Sequence, residues 1–84
     1  MMKDSLLGKY CIVTIGHVVS KIGEIKKVNN RTIHVDWGHK VMIYLNKDFR
    51  WIPMTKEEIE QQYKKSKFTA ETLNRAAELG IEMK

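Results

Sequence analysis

The basic side chains of the first 52 residues carry the clearest chemistry in this sequence. Lys26, Lys27 and Arg31 bracket an Asn29-Asn30 pair, a spacing that projects all three from one hairpin end. Lys21, Lys40 and Arg50 lie on neighbouring strands or turns, as do Lys9 and Lys47. Such clusters bind phosphate backbones by displacing condensed counterions. The same residues also serve as solvated surface, or as charges that keep edge strands from pairing. The charge balance favours the phosphate reading. Residues 1–52 hold nine basic and four acidic residues, whereas residues 53–84 hold six of each, so the net +5 of the 84-residue chain sits wholly on one half. Exposed rings would add base stacking. Trp37 alternates with Ile33 and Val35 and belongs to a core, as does Phe49. Tyr44 on an outward strand face and Trp51 near a strand end are the rings expected to reach a ligand.

Other chemistries find little footing. His17, His34 and His39 are spaced by 17 and 5 residues, which fits no common metal-ligand pattern, and no cysteine pair accompanies them. Cys11 is the only cysteine. It alternates with Val13 and Ile15 and is expected to be a small buried residue. No Ser-His-Asp set, paired carboxylate or phosphate-cradling glycine loop stands out. The expectation is a protein that is not an enzyme and uses no metal or cofactor.

The elements that must position these residues divide at Pro53, the only proline. All six Val, seven of nine Ile and four of five Gly precede it, and all three Ala follow it. β-branched residues punctuated by glycine predict strands, and the Ala-, Glu- and Lys-rich remainder predicts helices. Cys11, Val13 and Ile15 share one face of a first strand. A second runs from about Ile22 to Val28, with apolar residues every third position, so a bulge is expected at Gly23. Asn29-Asn30 makes a left-handed turn. Ile33, Val35 and Trp37 face inward on the third strand. After a Gly38-His39 turn, Val41, Ile43 and Leu45 are expected inward and Met42 and Tyr44 outward. A short 3₁₀ turn at Asn46-Lys47-Asp48 leads to a fifth strand, Phe49 to Ile52. Five short strands in so few residues favour a small closed barrel over a flat sheet.

In the tail, Thr55 and Glu58 form a Thr-x-x-Glu capping box, with Ile59 and Tyr63 on one face of the helix it starts. Thr69 is the N-cap of a second helix, Ala70 to Leu79, closed by Gly80, with Leu73, Ala76 and Ala77 as its apolar face. Both helices are too short to persist alone, so at least one should dock on the barrel.

From Val13 to Trp37 the chain resembles the KOW motif, found within SH3-like barrels of ribosomal proteins and bacterial transcription elongation factors. The matching residues are Val13-Thr14-Ile15-Gly16, a loop from His17 to Ile22, then Gly23-Glu24-Ile25, Val28 and Ile33-His34-Val35. The loop departs from the motif in carrying Ser20 and Lys21 where a Lys-Gly pair is usual, and in its apolar Val18 and Val19. The resemblance covers about half the chain and implies a mainly β fold, a five-stranded SH3-like, KOW-type barrel over residues 1–53; the two short C-terminal helices over 54–84 follow from the tail's own caps and composition and resemble no family. The resemblance also implies work near RNA, ribosomes or transcribing RNA polymerase.

The expected function is therefore non-enzymatic binding of RNA or DNA through Lys21, Lys26, Lys27, Arg31, Lys40, Tyr44, Arg50 and Trp51. The alternative is a protein-interaction module. A small chain of this style fits a bacteriophage source, and its tail would then dock on a host enzyme or polymerase. The N-terminal stretch lacks the apolar core of a signal peptide and no apolar run approaches the ~18 residues of a membrane helix, so a soluble, cytoplasmic protein is expected.

Overall fold

A computed structural model describes residues 6–83. Residues 1–5, which hold most of the stretch read as lacking a leader core and begin the expected 1–53 unit, and residue 84 lie outside the described residues. The fold is mainly β with two C-terminal helices. The order is β1 (Tyr10–Ile15), β2 (Val18–Val28), β3 (Thr32–Asp36), β4 (Val41–Leu45), a 3₁₀ turn (Asn46–Asp48), α1 (Lys56–Tyr63), β5 (Lys67–Phe68) and α2 (Ala70–Glu78). The strands β1-β2-β3-β4 form an antiparallel meander, and β5 runs parallel to the start of β2.

Two glycine–histidine pairs turn two of the hairpins. Gly16, at φ +61°, precedes His17 and brings Ile15 opposite Val18. The expected loop from His17 to Ile22 is therefore mostly strand, because the chain reverses in two residues. Gly38, at φ +102°, precedes His39, and the Trp37 N–H closes this turn on the Lys40 carbonyl at 2.9 Å. A glycine at the first central position meets the positive φ these tight turns require. The remaining hairpin turns one residue later than expected. Asn29 N–H donates to the Thr32 carbonyl at 2.8 Å, so Asn30 and Arg31 are the central pair. No non-glycine residue has positive φ among the described residues, and the Asn29-Asn30 left-handed turn is not formed.

The bulges also differ from expectation. Register shifts fall where Ser20 is the extra residue against β1 and where Lys26 is the extra residue against β3. The three-residue apolar spacing on β2 thus has two causes. Ile22 and Ile25 face opposite sides, and the Lys26 bulge returns Val28 to the side of Ile25. Gly23 is paired regularly with Cys11. Its role is closeness: a Cβ there would sit 2.5 Å from Val35 Cγ1 and 2.8 Å from Trp37 Cε3.

Each face of the sheet carries its own core. The inner core joins Cys11, Ile25, Ile33, Val35 and Trp37, with Met42, Tyr44, Phe49 and Trp51 packed against it. The outer core joins Tyr10 and Ile22 to Ile59 of α1, Ala76 of α2 and Ile81. Burial of these apolar faces supplies the main driving force for both layers. Cys11 is fully buried, as alternation predicts, but Ile15 is exposed at the hairpin tip, past the register shift.

The sheet is open. Phe49 to Ile52 is not a strand; the segment returns to β1 through a single bridge, with Tyr10 and Met54 exchanging backbone hydrogen bonds of 2.8 and 2.7 Å. The fifth strand, β5, comes instead from the tail.

The helix ends follow local chemistry closely. Thr55 Oγ1 accepts from the Glu58 N–H while Glu58 Oε1 accepts from the Thr55 N–H, the reciprocal pair of a capping box. Thr69 Oγ1 accepts from the Thr72 N–H at α2. Gly80, at φ +76°, ends it, and the Ile81 N–H reaches back to the Ala76 carbonyl at 2.9 Å. The buried face of α2 differs from the predicted one: Thr72 and Ala76 are buried, Leu73 is half-buried and Ala77 is exposed. No helix among the described residues is long and apolar enough to cross a membrane.

Candidate nucleic-acid interface

The sheet sorts the predicted basic residues into two groups. The β2–β3 turn and the corner after β4 meet at one end, where Asn46 N–H donates to the Arg31 carbonyl at 2.8 Å and Asn46 Nδ2 to the Asn30 carbonyl at 2.6 Å. Arg31 and Lys47 are exposed at this end, and Lys27 projects from the outer face nearby, opposite His34. Lys26 is thrown outward by the bulge and ion-pairs with Glu24 at 3.7 Å. Lys40 lies at the other end, in the β3–β4 turn. The five residues of β3 at about 3.3 Å each put roughly 17 Å between the ends. Lys21 belongs with the second group, since it and His39 line one cleft. Arg50 is exposed after the 3₁₀ turn. Among the described residues, Lys21, Lys27, Arg31, Lys40 and Arg50 have no acidic partner within ion-pair distance.

Both predicted stacking rings are committed elsewhere. Tyr44 faces inward, opposite Ile33, and its hydroxyl accepts a 2.9 Å hydrogen bond from Trp37 Nε1. Trp51 meets Trp37, Tyr44 and Phe49 edge-on, with centroids 5.1–5.5 Å apart. Met42 turns inward beside Tyr44, while Val41, Ile43 and Leu45 are 56%, 59% and 47% exposed. The predicted facing of β4 is thus reversed. The two-residue Gly38-His39 turn sets Val35 opposite Met42, and directly opposed residues share a face.

No family model, curated protein or solved structure matches the chain. The site must be read from its own geometry.

That geometry includes a residue the sequence did not single out. Arg75 on α2 has a side chain only 14% exposed. Its Nη2 donates to the Asp36 carbonyl at 2.7 Å and its Nε to the Ile22 carbonyl at 3.3 Å, and it ion-pairs with the Asp36 carboxylate at 3.6 Å. It pins α2 across β2 and the end of β3, and forms one wall of the cleft with Lys21 and His39. The cleft measures about 430 Å³ and mixes charges, since Glu71 and Glu78 also line it. Its partners are backbone carbonyls far away in sequence, which leave no motif to read. The cleft offers an anion no uniformly positive wall. The Arg31 end, with exposed cations and, among the described residues, no carboxylate in its two turns but Asp48, offers a better one.

Proposed function

We propose that the protein is a non-enzymatic nucleic-acid-binding module built on a partly open SH3-like barrel. The fold reading is supported by the meander, the 3₁₀ turn after β4 and the return of the chain to β1 at Met54. The functional reading rests on one observation: Lys27, Arg31 and Lys47 are exposed around one end of the sheet, with no ion-pair partner among the described residues. These cations contact phosphates, with Lys26, Lys21, Lys40 and Arg50 extending the track. Contacts of this kind position a backbone and carry no sequence information. Tyr44 and Trp51 act through the inner core and not as stacking platforms.

Binding to a duplex or single strand, followed by fluorescence anisotropy against salt, tests the reading. Neutralising about three phosphates gives a log–log slope near −2 to −3. Replacing Lys27, Arg31 and Lys47 with Ala should flatten the slope by about one unit per lost contact, for all sequences alike, and replacing Lys26, which pairs with Glu24, should flatten it less. No measurable binding at physiological salt, with the fold intact, would reject it.

A second reading has its own support. The exposed aliphatic row Val41, Ile43 and Leu45 suits a protein-interaction module, with a ribosomal component or RNA polymerase as the class of partner the KOW resemblance suggests. A partner recovered after nuclease treatment would favour it.

A further inference from the structure

We propose that β4 pairs antiparallel with β4 of a second copy of this chain, about a two-fold axis at Ile43. Ladder parity fixes which backbone groups of β4 are free. Trp37 donates to Lys40 and Asn46 donates to Arg31, so the hydrogen-bonded pairs of the β3–β4 ladder are 37 with 40, 35 with 42, 33 with 44 and 31 with 46. Met42 and Tyr44 therefore spend their backbone groups on β3. Val41, Ile43 and Leu45 direct theirs to the free edge, since β4 ends the sheet. The same three residues also expose their side chains. Free backbone donors and acceptors and uncovered aliphatic groups thus coincide on one row.

Such an edge is ordinarily protected by Lys, Pro or a bulge. The segment Val41-Met42-Ile43-Tyr44-Leu45 has no charge and no proline, and the bulges lie in the β1–β2 and β2–β3 ladders instead. The row is also symmetric. With Ile43 opposite its own counterpart, Val41 meets Leu45 and Leu45 meets Val41. All three positions become hydrogen-bonded pairs, giving six new backbone bonds and one continuous eight-stranded meander with β5 at each side. The aliphatic side chains of both copies fall on the same face, where they cover one another. An isologous contact requires this self-complementarity.

The flanks bring like charge near but not into direct opposition. Lys40 of one copy comes to Asn46 of the other, at the turn that carries both Lys47 and Asp48. No like charges stand directly opposed, and Asp48 supplies the acidic neighbour. The contact also brings the Lys40 end of one copy beside the Arg31 end of the other. The two basic groups that lie at opposite ends of one sheet become adjacent across the pair.

A single strand pair and one aliphatic row bury less than a standard interface of about 1,200 Å² or more, so association in the micromolar range is expected. Sedimentation equilibrium of the full chain from about 1 to 300 µM spans that range and should show a monomer–dimer equilibrium. Amide exchange should show the Val41, Ile43 and Leu45 amides gaining protection as concentration rises, while Met42 and Tyr44 are protected throughout. Ile43→Lys, at an exposed position, should leave the melting temperature of dilute protein unchanged and abolish the dimer. Ile43→Thr, which keeps a β-branched side chain, should weaken association by about tenfold. A wild-type monomer across the range, or free exchange at the three edge amides at the highest concentration, overturns the proposal. So does a dimer that survives Ile43→Lys.

Discussion

Replacing Arg75 with Met isolates what fastens α2 to the sheet. Met keeps most of the aliphatic stem that packs beside Gly38 and removes the guanidinium. The 2.7 Å bond to the Asp36 carbonyl is short and charge-assisted, and is worth about 1.5–3 kcal/mol. The 3.3 Å bond to Ile22 is longer and adds about half as much. The pair with Glu78 adds next to nothing, because that carboxylate is well exposed. Water reaches the vacated carbonyls through the cleft and offsets part of the loss, leaving about 2–3 kcal/mol. For a chain of this size that lowers Tm by about 8–24 °C. Urea unfolding followed by Trp37 and Trp51 fluorescence measures it, provided the slope with urea is unchanged. Arg75→Lys separates charge from geometry. An ammonium has no fork to span two carbonyls, so Lys should recover less than half. A Met variant within 0.5 kcal/mol of wild type, or a Lys variant equal to wild type, would refute the reasoning.

Gly23→Ala should cost about 1–3 kcal/mol by overpacking against Val35 and Trp37, with altered tryptophan fluorescence in the native state; unchanged stability would show that both side chains can move aside. Ile59→Ala should cost about 2–4 kcal/mol, since Ile59 is wholly buried between α1 and the sheet, and chemical denaturation will read it. Burial pushes the Cys11 thiol from its ordinary value of 9.0 up to about 12, so a disulfide reagent at pH 8 should label only unfolded protein. The unfolded chain then holds fewer protons than the native one between about pH 9 and 12. Stability should therefore be fully present below that window and fall through it, and Cys11→Ala should remove part of the slope.

The parts legible in the sequence were those fixed by neighbours. The caps at Thr55 and Thr69 and the stop at Gly80 involve residues within five positions, and the structure places them within one residue of expectation. The inward row Ile33, Val35 and Trp37 was legible because polar Thr32, His34 and Asp36 alternate with it. In β4 alternation fails, because all five residues are apolar and both faces read alike. The Gly38-His39 turn already implied the answer, since a two-residue hairpin sets Met42 against the inward Val35. The β2 bulges escaped because a bulge is set by how two strands line up, and Lys26 carries no local mark of being the extra residue. The basic residues were legible as a surplus of charge, but not their division between two ends, which depends on β3 standing between them. Arg75 escaped because its partners are 53 and 39 residues away.

Tyr10 and Ile81 share the outer core although almost the whole chain separates them. This has a bearing on how the protein is made. The meander is complete once Leu45 has been synthesised, and its inner face can then begin to close. The outer face, with Tyr10, Ile12 and Ile22, gains its first cover from Ile59 of α1 and is closed only when α2 and Ile81 follow. At 5–20 residues per second, the roughly 36 residues between Leu45 and Ile81 take about 2–7 s. Throughout that interval the nascent chain presents a half-covered sheet with an uncharged edge. The strands are therefore made first, and the outer face they present is closed last.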